Sequence, residues 1–250
     1  MKKLNRVGEK YMTNEGCNIE ITEYQNAKNC TIRFEDGYVK SSVHFSDIKN
    51  GRIKNPYHKS ISNIGFIGEG IFTVNLLGKT TNYYSVWRNM IERCYNIEYN
   101  IKYPTYMGCL VVEEWHNFQN FAQWFYENYN PEIMEGWHLD KDILVKGNKL
   151  YSPETCCFVP HEINGIFTDR KIKRDNIPCG VHKHRNKFQV KMNFYGKYTR
   201  IGAFYTPEEA FQAYKTAKEK YIKEVADKWK NKIDPRVYQA MYDYQVEINN

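Results

Sequence analysis

The sequence contains no run of apolar residues near the roughly 20 that a membrane-spanning helix needs. No membrane span, and no membrane partner, is therefore expected. The opening residues MKKLNRVGEKYMTNEG hold lysines with no apolar segment behind them, so a secretory signal is not expected either. Cysteine is limited to seven, an odd number, and no Cys-x-x-Cys pair occurs. That argues against a disulfide framework and for free thiols in a reducing, intracellular, cytoplasmic setting. A zinc site drawn from Cys156, Cys157, His138 and His161 would lack the usual ligand spacing. Negative charge is the scarcer sign, with 29 Asp and Glu against 36 Lys and Arg and a net charge of +7. This balance favours anionic partners such as nucleic acid.

Apolar residues make up 42% of the 250, with 21 tyrosines and 5 tryptophans. That is enough for real cores in one large domain or two to three small ones. The charge is unevenly placed. Residues 1–80 carry 12 Lys and Arg against 8 Asp and Glu, residues 81–169 carry 6 against 12, and residues 170–232 carry 17 against 6. An acidic middle is followed by a strongly basic stretch.

Patterning divides the chain into segregated β and α runs, an α+β class. In residues 1–80, CNIEITEY and CTIRFEDGYVKSSVHF alternate apolar and polar, with Asp36-Gly37 as a hairpin turn. A small β domain of unassigned role is expected there. In residues 81–169, Tyr84, Trp87, Met90, Ile91 and Cys94 recur at helical spacing, as do Trp115, Phe118, Phe121, Ala122 and Phe125. Rings at that period belong in a core rather than on a base-stacking platform. LDKDILV then reads as a strand, GNK as a turn, CCFVP as a second strand and HEINGIFTD as the entry to a helix, a strand–turn–strand–helix order. A basic linker is expected at 170–177.

Residues 178–250 have the clearest pattern. Three strands, GVHKHR, KFQVKMNFY and KYTRIGAFY, are joined at Arg185-Asn186 and Tyr195-Gly196. Thr206, Pro207 and Glu209 then form a helix start, with the threonine as N-cap and the glutamate three residues on. Alternation sends Val181, Phe188, Val190, Met192, Ile201 and Ala203 toward that helix, to pack on Ala210, Ala213, Tyr214 and Ala217. It leaves His182, His184, Lys187, Gln189, Lys191, Asn193, Tyr198 and Arg200 on the opposite face, where donors for phosphates and base edges would collect. DPRVYQAMYDYQVE suggests a short C-terminal helix.

Gly180-Val181, Phe188, Ile201-Gly202-Ala203-Phe204 and Thr206 through Tyr214 give this segment of about 50 residues a resemblance to a known module. It is similar to the DNA-binding domain of plant ethylene-response factors (AP-two/ERF), which also occurs in phage and mobile-element proteins. The resemblance implies strands lying in the major groove of double-stranded DNA, with arginines and tryptophans reading bases. His182 and His184 stand here where arginines are usual, which makes pH-sensitive affinity an expectation.

WHLDKDILVKGNKLYSPETCCFVPHEIN, Trp137 to Asn164, has the makings of a one-metal nuclease site. Such a site needs a carboxylate and a late polar ligand for the cation, and a base to activate water. Asp140 and Asn164 are the candidate ligands for Mg²⁺ or Mn²⁺. Asn148 is a candidate for orienting the loop or the base. Lys141 stands in the place of the base, where a protonated lysine accepts no proton but can grip a phosphate. Asp142 and His161 are candidate bases from other positions. In the alternative reading, Asp140 and Asp142 cap turns or pair with Lys141 and Arg170.

RCYN, EEWHNFQNFAQWF and LDKDILVKGNKLYSPETCCFVP, spanning about 80 residues, resemble the HNH-type endonuclease-like proteins of phages and prophages. The resemblance implies a metal-dependent DNA endonuclease frame, with Lys141 in the place of the catalytic histidine and Thr155 in that of the second motif's asparagine. Taken together, the residues lead to the expectation of an intracellular phage-type protein that binds double-stranded DNA on a weakly active or inactive nuclease frame. The rivals are an active Mg²⁺-dependent homing-type nickase and a counter-defence protein that grips a host protein or nucleoprotein through residues 1–80.

Overall fold

A computed structural model describes residues 5–167 and 177–248. Helices and strands are both abundant and segregated, so the class is α+β. The chain divides into two compact units, residues 1–125 and 126–250. Most of the basic linker expected at 170–177, and Arg170 as a partner for the carboxylates, lie outside the described residues.

The first unit opens with a four-stranded antiparallel meander, β1 (Lys10–Met12), β2 (Asn18–Asn26), β3 (Asn29–Phe34) and β4 (Val39–Val43), in sequential order. Alternation sets its core. Ile19, Ile21, Cys30, Ile32 and Phe34 turn inward and close against Val43, Ile53 and Ile48 of the short helix α1 (Phe45–Lys49). The Asp36-Gly37 turn forms as expected, with the Asp36 carboxylate accepting the Tyr38 N–H at 3.0 Å.

After β5 (Asn75–Leu76) and β6 (Lys79–Thr80) come α2 (Asn82–Tyr95), α3 (Ile97–Lys102), the two-residue β7 (Leu110–Val111) and α4 (Phe118–Asn128). All four of Trp87, Trp115, Phe118 and Phe121 are fully buried, and the Trp87 indole N–H donates to the Trp115 carbonyl at 2.7 Å. The rings are core, as their spacing predicts. The sequence suggested a boundary at residue 80, but the loop before it is sewn to the helical part. Phe66 N–H donates to the His116 carbonyl at 3.0 Å, and the Gln119 amide both accepts from Phe72 N–H and donates to its carbonyl at 3.0 Å. The compact unit therefore runs on, and its limit falls within α4.

The second unit contains β8 (His138–Asp140), the two-residue β9 (Leu150–Tyr151), β10 (Cys157–Val159) and α5 (His161–Phe167). β8 and β10 pair antiparallel and α5 follows, so the strand–strand–helix order is present. The strand expected across LDKDILV is shorter than the pattern suggested: it stops at Asp140, where the chain turns. Then come β11 (Val181–His184), β12 (Lys187–Phe194) and β13 (Lys197–Phe204), a three-stranded antiparallel sheet, and the long helix α6 (Pro207–Trp229), with α7 (Pro235–Tyr242) last. Thr206 caps α6, its hydroxyl accepting the Glu209 N–H at 3.2 Å.

One hydrophobic core joins most of this unit's elements. Val181, Val190 and Met192 of the sheet meet Ala210, Phe211, Tyr214, Ile222 and Val225 of α6, and the same core takes in Ile143, Cys157, Val159, Ile163 and Ile166. The ββα element and the sheet-plus-helix element, separate domains by sequence pattern, share their interior. Two details depart from the expected packing. Ala213 and Ala217 are only half-buried, and the bulkier Phe211, Ile222 and Val225 fill the space. Ala203 does not face the core: Val190 pairs with Gly202 while Lys191 pairs with Arg200, so Ile201 is a bulge. One extra residue reverses the alternation beyond it. Ala203 joins the polar face opposite Gln189, and Phe204 joins the core face opposite Phe188.

Among the described residues no helix is long and apolar enough to cross a membrane.

Gly180 and Gly196 test the packing of this unit. Both adopt positive φ, +73° and +84°. A Cβ at Gly180 would strike the Tyr214 ring, whereas one at Gly196 would meet nothing. Gly196→Ala should cost about 1–2 kcal/mol from backbone strain alone. Gly180→Ala adds overpacking and should cost roughly 2–4 kcal/mol. Urea unfolding of both variants checks the difference.

Candidate functional site

The exposed face of β11–β13 is built by cross-strand register. His182 lies opposite Gln189, His184 opposite Lys187, Lys191 opposite Arg200 and Asn193 opposite Tyr198. Directly opposed residues of an antiparallel pair point to the same side, so all eight residues picked out from the sequence stand on one face. Gln189 is half-buried and the other seven are exposed. From residue 177 to 206 there is no Asp or Glu, while Lys183, Arg185, Lys187, Lys191, Lys197 and Arg200 supply positive charge. Among the described residues none of these six enters an ion pair; the lysines of α6 that do, such as Lys215 with Glu219, lie off the sheet. By register Lys187, Lys191 and Arg200 stand on the polar face, while Lys183 lies opposite Phe188 and Lys197 opposite Phe194 on the other side. Uncompensated cations gathered on one surface create the positive potential that draws polyanions.

The bulge adds a residue that the sequence pattern missed. Tyr205, the residue after β13, follows Ala203 onto this face, and the Lys187 ammonium sits 4.4 Å from its ring centroid. Simple alternation through Ile201 sends Tyr205 the other way, so no local signal marks it.

The acidic candidates occupy the segment between β8 and β10. Asp140 Oδ1 accepts the backbone N–H of Asp142 at 2.9 Å and of Ile143 at 2.8 Å. This is the turn-capping role, and it ends β8. Lys141 is corrected from an exposed, phosphate-gripping cation to a buried strut, 7% exposed. Its ammonium donates to Asp142 Oδ2 at 3.0 Å and to the Asn148 carbonyl at 2.9 Å. A lysine is buried only when its charge is paired and its hydrogens are used, and this turn does both. Asn148 returns the bond: its Nδ2 donates to the Lys141 and Leu150 carbonyls at 2.7 Å, and its Oδ1 accepts Leu150 N–H at 3.1 Å. Asn148 therefore clips the loop.

A second cluster forms where α5 leaves β10. The Asn164 amide lies 2.9 Å from His138 Nδ1, and the His138 and His161 rings meet edge to face at 5.3 Å between centroids. Asn164 thus pairs with a histidine of β8. His138, named in the sequence only as a zinc candidate, is the residue that gathers the other two. Next to it, Glu162 accepts from Lys228 at 2.7 Å and from the Trp229 indole at 2.7 Å, fastening α5 to the end of α6. Burial works against the Glu162 carboxylate, but those two donors hold its pKa below the ordinary value.

The four residues considered for zinc do not come together as a metal site among the described residues. Burial pushes the Cys156 thiol up to about 12, and burial with the nearby Asp140 carboxylate pushes Cys157 up as well, so neither offers a ready thiolate. Among the described residues no three His, Cys, Asp or Glu side chains are placed to hold a metal. The residues present therefore do not fit the four-ligand zinc site. The pair Asp140 and Asn164 is committed to the turn and to His138 respectively.

No protein-family model, no curated protein and no solved structure matches the chain.

Asp140 gives the turn a pH signature. Its carboxyl is pushed up to about 6, first by burial and then by the Asp142 carboxylate, against the pull of the two N–H bonds. A folded pKa above the unfolded one favours the folded state fully below the ordinary carboxylate range, and that advantage is lost as pH rises through about 6. Asp140→Asn keeps an oxygen for both N–H groups and removes the titration. Wild type should lose on the order of 1–3 kcal/mol relative to Asp140→Asn between about pH 4 and pH 6, and the difference should level off above that. Unfolding titrations of both proteins in chelator check it.

Proposed function

We propose that the protein binds double-stranded DNA through the polar face of β11–β13, on a ββα frame that is a weak or inactive nuclease. The supporting observation is the register that gathers His182, His184, Lys187, Gln189, Lys191, Asn193, Tyr198 and Arg200 on one surface free of carboxylates. Cations there neutralise phosphates, and the amides reach base edges. The opposite face is committed to α6, so only this one meets a ligand.

Binding should weaken steeply with salt, because each neutralised phosphate contributes about 0.9 to the slope of log K against log[salt]. Combined Lys187→Ala, Lys191→Ala and Arg200→Ala should lower that slope by roughly 2 to 3. Lys141→Ala should leave it in place, since that ammonium is turned inward. Fluorescence anisotropy on a labelled duplex across a salt series reads both.

The weak-nuclease half of the reading is supported by Asp140 serving the turn and Lys141 lying inside it. A residual nickase would hold Mg²⁺ or Mn²⁺ at Asp140 and draw its base from Asp142 or His161. Supercoiled plasmid incubated with either metal at low salt should stay supercoiled with wild type as with Asp140→Ala. Nicking by wild type alone would make this an active nickase.

A further inference from the structure

We infer that Gln189 and Ala203 form the base-reading row of the β11–β13 face and recognise an A·T pair. This rests on the DNA-binding reading above and specifies its target.

The face is organised in rows across the strands. His184 and Lys187 form one, with Tyr205 beneath the Lys187 ammonium. His182, Gln189 and Ala203 form the next. Lys191 with Arg200, and Asn193 with Tyr198, complete it. The Gln189 row has no Lys or Arg, while Lys187 lies two residues before Gln189 and Lys191 two after. Strands are about 4.8 Å apart, so a three-strand row spans about 10 Å, close to the roughly 12 Å width of the major groove. Cations on both sides of a row without Lys or Arg suit two flanking phosphate contacts and one central base contact.

The chemistry of the central row selects the base. A carboxamide donates and accepts at once, and adenine presents both N7 and its N6 amino group in the major groove. Ala203 offers a methyl group on the neighbouring strand, and thymine is the base with a methyl group in that groove. Gln189 and Ala203 therefore match the two halves of one pair. Among the described residues no hydrogen bond engages the Gln189 carboxamide. Being half-buried between strands, it has less rotamer freedom to lose on binding than an exposed side chain. Ala203 is in place only because the Ile201 bulge turns it there; bulges re-aim side chains in this way.

The experiment is selection from a random duplex library with full-length protein, followed by affinity for the selected site and for the same duplex with its A·T pair exchanged for G·C. The ratio of the two affinities should be about 5- to 150-fold for wild type and fall to near one in Gln189→Ala. Uracil in place of the thymine should reduce wild-type affinity, and should do so less in Ala203→Gly. Thermal melting of both variants checks that they fold. Binding with no A·T preference, or with a preference that Gln189→Ala retains, would overturn the inference and leave the DNA-binding reading standing. No binding to any duplex at low salt would overturn both.

Discussion

The packing of α6 on one face of β11–β13 is the constraint on which the rest of the second unit depends. Val190, Ala210, Ile222 and Val225 are completely buried there, and the same interior extends to Val159 and Ile163 of the ββα element. Each large apolar side chain so buried contributes about 1.5–3 kcal/mol. In a sheet the two faces alternate residue by residue, so committing one to the helix commits the other to solvent. The cationic surface and the core are thus two results of one register. The bond from Lys228 and Trp229 to Glu162 fastens α5 to the same helix, so the ββα element and the sheet share a framework.

The residues that look catalytic in the sequence are largely those that hold an irregular segment together. Between Asp140 and Cys157 the chain has little regular structure beyond β9, and its backbone groups still need partners. Asp140 caps two N–H groups, Asn148 bonds three backbone atoms, Thr155 donates to the Leu150 carbonyl at 2.7 Å, and Lys141 crosses the turn to Asn148. Asp, Asn, Thr and Lys are the residue types of metal and phosphate sites because they carry strong donors and acceptors. The same property suits them to satisfying a loop. Residue type alone does not separate the two uses; the direction of each side chain does.

Much of the architecture was legible in short-range pattern. Period-two alternation marked β2, β3 and β11–β13, helical spacing marked the Trp87 and Phe121 faces, and Thr206, Pro207 and Glu209 marked the start of α6. Turn chemistry placed Asp36-Gly37 and Tyr195-Gly196. These signals are local, since each depends on backbone geometry within a few residues. The eight residues of the candidate DNA face followed from alternation alone, because seven of them lie outside the stretch that the bulge disturbs and Arg200 sits just before it.

What tertiary structure decided was everything that depends on one residue of register or on a distant partner. Ile201 bulges from the ladder, and this puts Ala203 and Tyr205 on the polar face. Lys141 is buried because Asn148, seven residues on, offers it a carbonyl. His138 gathers Asn164 and His161 from a helix more than twenty residues away. The core crosses the boundary that composition suggested between residues 169 and 178 because Val159 and Ile163 find Val181 and Ile222 in space. By itself the sequence determined which elements form and which faces are apolar, since those follow from local sterics and periodicity. Register, burial of charge and shared interior were settled by packing, where a single inserted residue or a single distant carbonyl changes which side chains meet.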